Sequence, residues 1–207
     1  GARYRLSAHL LYFRIAFVAT DTATAIPTRR ISFAGGLAEL PRHFADDDLI
    51  TSHFVAALSS VFPDGEDFFV RSVRHYRDRV TDPALRRAVN GFIGQETVHG
   101  REHRQLNARL AELGYPTQRV ERFVRHGLGL RSRVAPPISN LAATAAMEHF
   151  TATLAEQAMT DPRAAAMPGH PLVAGLFLWH ALEESEHKAV AFDVYRAVGG
   201  SERLRIM

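Results

Sequence analysis

Apolar positions recur every three or four residues over most of the chain and almost nowhere alternate strictly, the pattern of helices rather than strands. Asp46-Asp47-Asp48 offers capping carboxylates for a first helix running to about residue 60. Pro63-Asp64-Gly65 should break it, and a second helix should open at Glu66 and continue to about residue 79. Thr81-Asp82-Pro83 joins a cap to a proline at the first helical position. The helix it opens should reach residue 113, where Gly114-Tyr115-Pro116 stops it. Residues 117–137, rich in arginine and ended by Pro136-Pro137, read as loop or broken helix. Two more helices are expected over 138–160, closed by Asp161-Pro162, and over 171–198, stopped by Gly199-Gly200. Residues 1–45 read as an irregular arm with a short strand at 29–33, and residues 46–207 as the folded domain.

The connections suggest how these helices pack. The helix holding Glu66 and the next one are joined by so few residues that they must lie antiparallel, and the last two share a short Pro-rich link. The long segment between the two hairpins can run the length of a bundle. The expected fold is therefore all-α: a ferritin-like four-helix bundle of two helical hairpins joined by a long crossover, with an irregular N-terminal arm and one extra N-terminal helix.

Glu-x-x-His occurs twice, at Glu96–His99 and Glu184–His187, each time inside the second helix of a hairpin. At this spacing both side chains leave one helix face and can hold one metal ion. The first helix of each hairpin adds a glutamate, Glu66 or Glu148. Glu66 stands 14 residues before Val80 and Glu96 14 after Asp82, so an antiparallel pair brings them level. Glu148 and Glu184 match in the same way, 12 residues before Thr160 and 12 after Leu172. The candidate ligands share their stripes with apolar residues, among them Phe92, Leu106 and Leu110 around Glu96, and Phe177, Ala191 and Val194 around Glu184. Four bare carboxylates in an apolar interior would each cost several kcal/mol or take up a proton, and two divalent cations would cancel them. A buried Glu–His or Glu–Arg hydrogen-bonded network is the bland alternative. Arg71, Arg74, Arg101 and Arg104 fall mostly off the Glu/His stripes, which disfavours it.

Composition sharpens this picture. Cysteine is absent, which excludes disulfides, thiolate metal sites and a cysteine nucleophile, while histidine is abundant at 11 of 207 residues. His103 and His180 extend the two stripes by one turn and could ligate, support a ligand or merely pack. His149 follows Glu148 but points about 100° away, so packing or an outer hydrogen bond suits it better. The small residues around Glu148, including Thr144, Ala145, Thr151 and Ala152, allow either a pocket for dioxygen or a small substrate, or close helix packing. Tyr76, Trp179 and Tyr195 are candidate redox-active aromatics, with packing the better reading. The net charge of +3 is a weak signal for nucleic acid, and no phosphate loop or nucleic-acid motif is present. The arginines at 119, 122, 125, 131 and 133 fit a solvated crossover better than a binding surface. The apolar run at 10–20 contains Arg14 and is too short to span a membrane, and a cytoplasmic protein is expected.

Specific segments resemble a bacterial "predicted metal-dependent hydrolase" family. They are Phe62-Pro63-Asp64-Gly65-Glu66-Asp67-Phe68-Phe69-Val70, Phe92 to Glu96 with His99 and Arg101-Glu102-His103, Glu148-His149-Phe150-Thr151, and Trp179-His180 with Glu183, Glu184, Glu186, His187 and the run to Tyr195. The resemblance covers the chain from about Arg29 onward and implies a ferritin-like fold. Family members continue past the point where this chain stops, which implies a further C-terminal helical segment. The expected ligands are Glu66, Glu96, His99, Glu148, Glu184 and His187, with Glu96 and Glu184 as the catalytic groups that would bridge two metals in a redox reading. His103, His180, Glu183, His149 and Thr151 are the additional or outer candidates. An oxygen-rich donor set suits iron, manganese or a mixed pair better than zinc. The ligands resemble those of di-iron oxidases and oxygenases, so the leading expectation is oxidation of a small organic substrate, with dioxygen and an electron donor as partners. Hydrolysis by a metal-activated water and metal storage or oxidation without an organic substrate are the alternatives. A homodimer is compatible with all three.

Overall fold

A computed structural model describes residues 26–205. Among the described residues all regular structure is helical: α1 (Leu49–Tyr76), α2 (Pro83–Glu112), α3 (Thr117–Val134), α4 (Pro137–Thr160), α5 (Pro162–Ala166), α6 (Pro171–His187), α7 (Val190–Ala197) and α8 (Glu202–Arg205), with 3-10 turns at Ala34–Glu39 and Arg77–Arg79. Asp48 caps α1 by accepting from the Thr51 amide, and Asp82 caps α2 with Pro83 behind it. Gly114, at φ 97°, ends α2 in a backbone conformation that side chains disfavour.

α1 packs along α2, and α4 packs along α6 and α7. The pairs meet where α1 touches α4 and α2 touches α6 and α7. Two apolar clusters result. One gathers Phe68, Phe92, Leu141, Val190 and Tyr195, the other Leu40, Phe44, Leu106, Leu110 and Leu176. On α2 the stretch between Phe92 and Leu106 carries Glu96, His99 and His103. Between Leu176 and Val190 the chain carries His180, Glu183, Glu184 and His187. The polar layer is thus held between two apolar plugs, which exclude water from both ends.

Four expectations need correction. The break at Pro63-Asp64-Gly65 is absent: α1 is continuous, and the extra N-terminal helix is its first half. Proline removes the N–H that would bond the Ser59 carbonyl. The Asn107 side-chain amide on α2 donates to that carbonyl instead, at 3.2 Å, and Arg104 donates to the Pro63 carbonyl. The crossover at 117–137 is neither a loop nor a broken helix, because most of it is the continuous α3. It is anchored by Thr117 bonding the Asn107 carbonyl, Arg125 pairing with Asp64 at 2.9 Å, and Leu128 packing on the core. The final helix is interrupted at Lys188 and Ala189, immediately after His187 and with no glycine or proline to announce it.

The strand at 29–33 does not form either. Side chains of α2 take the backbone groups that a partner strand would have used. Gln95 donates to the Pro27 carbonyl, Arg101 donates to Ile31, and Glu102 accepts from the Phe33 amide. This extended strap lies close over α2, where a Cβ added at Gly91 would come within 2.6 Å of Ile26. Gly91→Ala should lift the strap, and trypsin should then cut after Arg29 and Arg30 several-fold faster than in the parent while the helix content stays unchanged; equal rates would show that the contact is dispensable. The apolar run at 10–20 lies outside the described residues. Among those described, no helix is long and apolar enough to cross a membrane.

Candidate metal centre

Four helices deliver the polar layer: α1 gives Glu66, α2 gives Glu96 and His99, α4 gives Glu148, and α6 gives His180, Glu184 and His187. All seven residues are buried, none more than 3% exposed. Their ligating atoms form three overlapping triads: Glu66 with His99 and His180, Glu96 with His99 and Glu184, and Glu96 with Glu148 and His187. The atoms within each triad lie no more than 4.8 Å apart. The six residues singled out from the spacing therefore converge, and His180 joins them.

The imidazoles are held from outside. His99 Nε2 bonds Glu183 Oε2 at 3.0 Å, and Arg29 of the strap grips Glu183 and, through both its Nη atoms, Glu186. His187 Nδ1 bonds Gln95 Oε1 at 2.8 Å. The Gln95 amide nitrogen donates to Pro27 and Glu186, so its oxygen is the acceptor for His187. An outer acceptor takes the N–H of each ring and turns the other nitrogen inward. His99 Nδ1 and His187 Nε2 indeed lack hydrogen-bond partners, as do both oxygens of Glu66, Glu96 and Glu148 and Oε2 of Glu184. His187 Nε2 does approach Glu96 Oε1 at 2.9 Å and Glu184 Oε1 at 3.3 Å.

Electrostatics mark the same layer. Burial, and after it the neighbouring carboxylates, push Glu66 and Glu148 well above the usual carboxylate range. Burial also raises Glu96, against the opposing pull of His187. Burial would raise Glu184 too, but His187 and His180 together hold it well below its ordinary value. His187 moves the other way: burial alone would lower it, and the charges of Glu184 and Glu96 carry it well above the ordinary imidazole value. His99 and His103 are driven well below theirs by burial and by the nearby His180.

The remaining candidates separate. His103 is fully buried on the outer side of His180, and Glu183 stands behind His99. His149 is exposed, and the Thr151 hydroxyl bonds the Glu148 carbonyl in its own helix, so neither joins the layer. Thr144 bonds Ser72 across the α1–α4 contact at 2.7 Å, and Ala145 lies in the core, which favours close packing there over an open pocket. Tyr195 is buried with its hydroxyl on the Ser201 carbonyl, and Trp179 packs edge-on against His99 at 4.9 Å. The arginines at 71, 74, 101 and 104 are all exposed, and of these only the charge of Arg104 acts on the layer, opposing the upward push on Glu66.

A family profile described as "Predicted metal-dependent hydrolase" matches residues 27–207. The chain belongs to this family. The buried His/Glu groups of this metal-dependent hydrolase family member have the composition to bind metal. No curated protein and no solved structure matches the chain.

Sequence reasoning overlooked Arg29, Ser59, Gln95, Asn107 and Glu186. Asn107 carried a signal, since it continues the Glu96–His99–His103 face by one turn. Gln95 and Arg29 carried none, because their roles depend on where the strap crosses α2.

Proposed function

We propose that the layer is a dinuclear metal centre and that the protein is a metal-dependent hydrolase of a small molecule. The observation that supports this most is the set of nine inward ligand atoms that are buried without hydrogen-bond partners: seven carboxylate oxygens and two imidazole nitrogens. Unpartnered buried polar atoms are rare because each costs about 1–3 kcal/mol or more. Two divalent cations would satisfy them together and offset four carboxylates.

On this reading Glu66 and His99 hold one side, Glu148 and His187 the other, and Glu96 and Glu184 lie between. The four helices that deliver the layer, α1, α2, α4 and α6, are then a ferritin-like bundle. When bound, the ions would polarise a substrate and lower the pKa of a coordinated water. Glu183 and Gln95 fix the two ring orientations, and the flanking apolar clusters keep bulk water out. The carboxylate-dominated donor set fits iron or manganese. It also supports a second reading, oxidation of an organic substrate by dioxygen with an external electron donor. The family description favours hydrolysis.

The test is a panel of esters, amides and phosphoesters with protein holding zinc or manganese, run without oxygen, alongside elemental analysis. Two metals per chain are expected, and hydrolysis that is lost with chelator and in Glu96→Ala. Turnover that instead demands iron, dioxygen and a reductant would move the assignment to the oxidative reading. Many more than two metals per chain would mean storage.

A further inference from the structure

A line of hydrogen bonds leaves the layer toward α1 and α3. His180 Nδ1 meets His103 Nε2 at 2.8 Å, and His103 Nδ1 meets Ser59 Oγ at 2.9 Å. Ser59 Oγ meets Asn107 Oδ1 at 2.6 Å, and Asn107 Nδ2 reaches both the Ser59 carbonyl and Glu121 Oε1, at 3.2 and 2.9 Å. His103, Ser59 and Asn107 are each at most 1% exposed.

The direction of every proton in this line follows from its far end. Two acceptors, a carbonyl and a carboxylate, face Asn107 Nδ2, which fixes that atom as the amide nitrogen and Oδ1 as an acceptor. The single hydroxyl proton of Ser59 must therefore point to Asn107 Oδ1. Ser59 Oγ then accepts from His103, which places the His103 proton on Nδ1 and leaves Nε2 with a lone pair. That lone pair accepts from His180 Nδ1–H. A neutral His180 therefore carries its proton outward and turns a bare Nε2 toward Glu184 Oε1 at 3.1 Å and Glu66 Oε1 at 3.5 Å. A lone pair facing two carboxylate oxygens is repulsive unless a proton or a metal cation sits among them, and a metal ion there would take that lone pair as a ligand. Phe62 closes the line from the side, with its ring 4.7 Å from His103 and 4.6 Å from His180.

We propose that His180 is a seventh metal ligand, presented by the ordered chain Asn107–Ser59–His103, and that it makes the two metal positions unequal. The position beside Glu66 then has two imidazoles, His99 and His180, and the position beside Glu148 has one, His187. Divalent metals that favour nitrogen fill the first position before the second. Asn107, Ser59 and His103 are positioning residues. The proposal rests on the metal-centre reading, and its test separates the two.

Zinc titration against a competing chelator is run on parent, Ser59→Ala, Ser59→Thr and His180→Ala proteins. Long-range proton–nitrogen NMR of histidine-labelled parent reads the tautomers directly in the metal-free and zinc-loaded states. The parent should take two zinc ions in two resolved steps. Ser59→Ala should weaken the first step roughly 10–100-fold and leave the other alone, His180→Ala should abolish the first step, and Ser59→Thr should restore it. His103 should carry its proton on Nδ1 in both states. A proton on His103 Nε2, or two zinc ions bound with unchanged affinity in Ser59→Ala and His180→Ala, would overturn the proposal and leave the metal centre standing. A parent that binds no zinc or manganese would instead remove the metal-centre reading itself.

Discussion

Saturating the metal-free protein with zinc or manganese should raise its melting temperature by about 8–16 °C for each ion bound at a thousandfold excess over its Kd. A ligand that binds the folded state alone stabilises it by about 4.1 kcal/mol under those conditions, and a chain of this length gains roughly 2–4 °C per kcal/mol. The effect should be at the upper end here. The metal-free fold holds four carboxylates in a layer where seven of their oxygens lack partners, so the ions relieve a defect as well as adding contacts. Thermal unfolding followed by circular dichroism, before and after chelator, measures it. Glu96→Ala, which removes the carboxylate shared by two of the three triads, should lose most of the shift. An unchanged melting temperature in the parent would show that the layer satisfies itself without metal.

Glu148→Gln should stabilise the metal-free protein at pH 8 while weakening metal binding, and its advantage should shrink as the pH falls to 5. Burial and the neighbouring Glu184 and Glu96 raise the Glu148 carboxyl in the folded state well above its ordinary 4.5. From about pH 4.5 upward the unfolded chain releases this proton and the folded chain keeps it, so parent stability falls as pH rises toward the folded value. The slope is about 1.4 kcal/mol per pH unit for each proton retained. Glutamine carries no such proton, so the gap between variant and parent widens over the same window. Glu66 and His187, also raised, act in the same direction, His187 only above its ordinary 6.5. His99 and His103 are lowered and act oppositely, since the unfolded state binds the extra proton. Their effect is complete by about pH 6.5, and above it the metal-free parent should lose stability steadily. Denaturant melts in chelator at pH 5, 6.5 and 8 measure both slopes. A difference between Glu148→Gln and parent that is the same at pH 5 and pH 8 would show that Glu148 ionises as freely when folded as when unfolded.

The helical class, the capping at Asp48 and Asp82 and the convergence of six candidate ligands were legible in the sequence, because each depends on local spacing. Matched distances from a tight turn bring Glu66 level with Glu96, and the i, i+3 spacing aims Glu96 and His99 together. Features that depend on distant partners were not legible. Proline at 63 reads as a break until Asn107, 44 residues on, is seen to serve the carbonyl it frees. Arginine density at 117–137 suggested a loop or broken helix, although α3 carries what anchors it, namely Thr117, Arg125 and Leu128. Residues 29–33 have the β-branched and aromatic character of a strand, but side chains of α2 occupy their backbone groups. His180 stood open in the sequence because its stripe position is equally good for packing and for ligation. Only the direction of its hydrogen bonds distinguishes the two.

Asn107 therefore answers to two masters in different parts of the molecule. Its nitrogen repairs the helix at Pro63, and its oxygen sets the order of protons that ends at His180. A residue with its own N–H at position 63 would compete for the Ser59 carbonyl and loosen the amide from its fixed orientation. Positions 63 and 107 are then tied in inheritance: among descendants of this chain, a change at one should be tolerated chiefly with a change at the other.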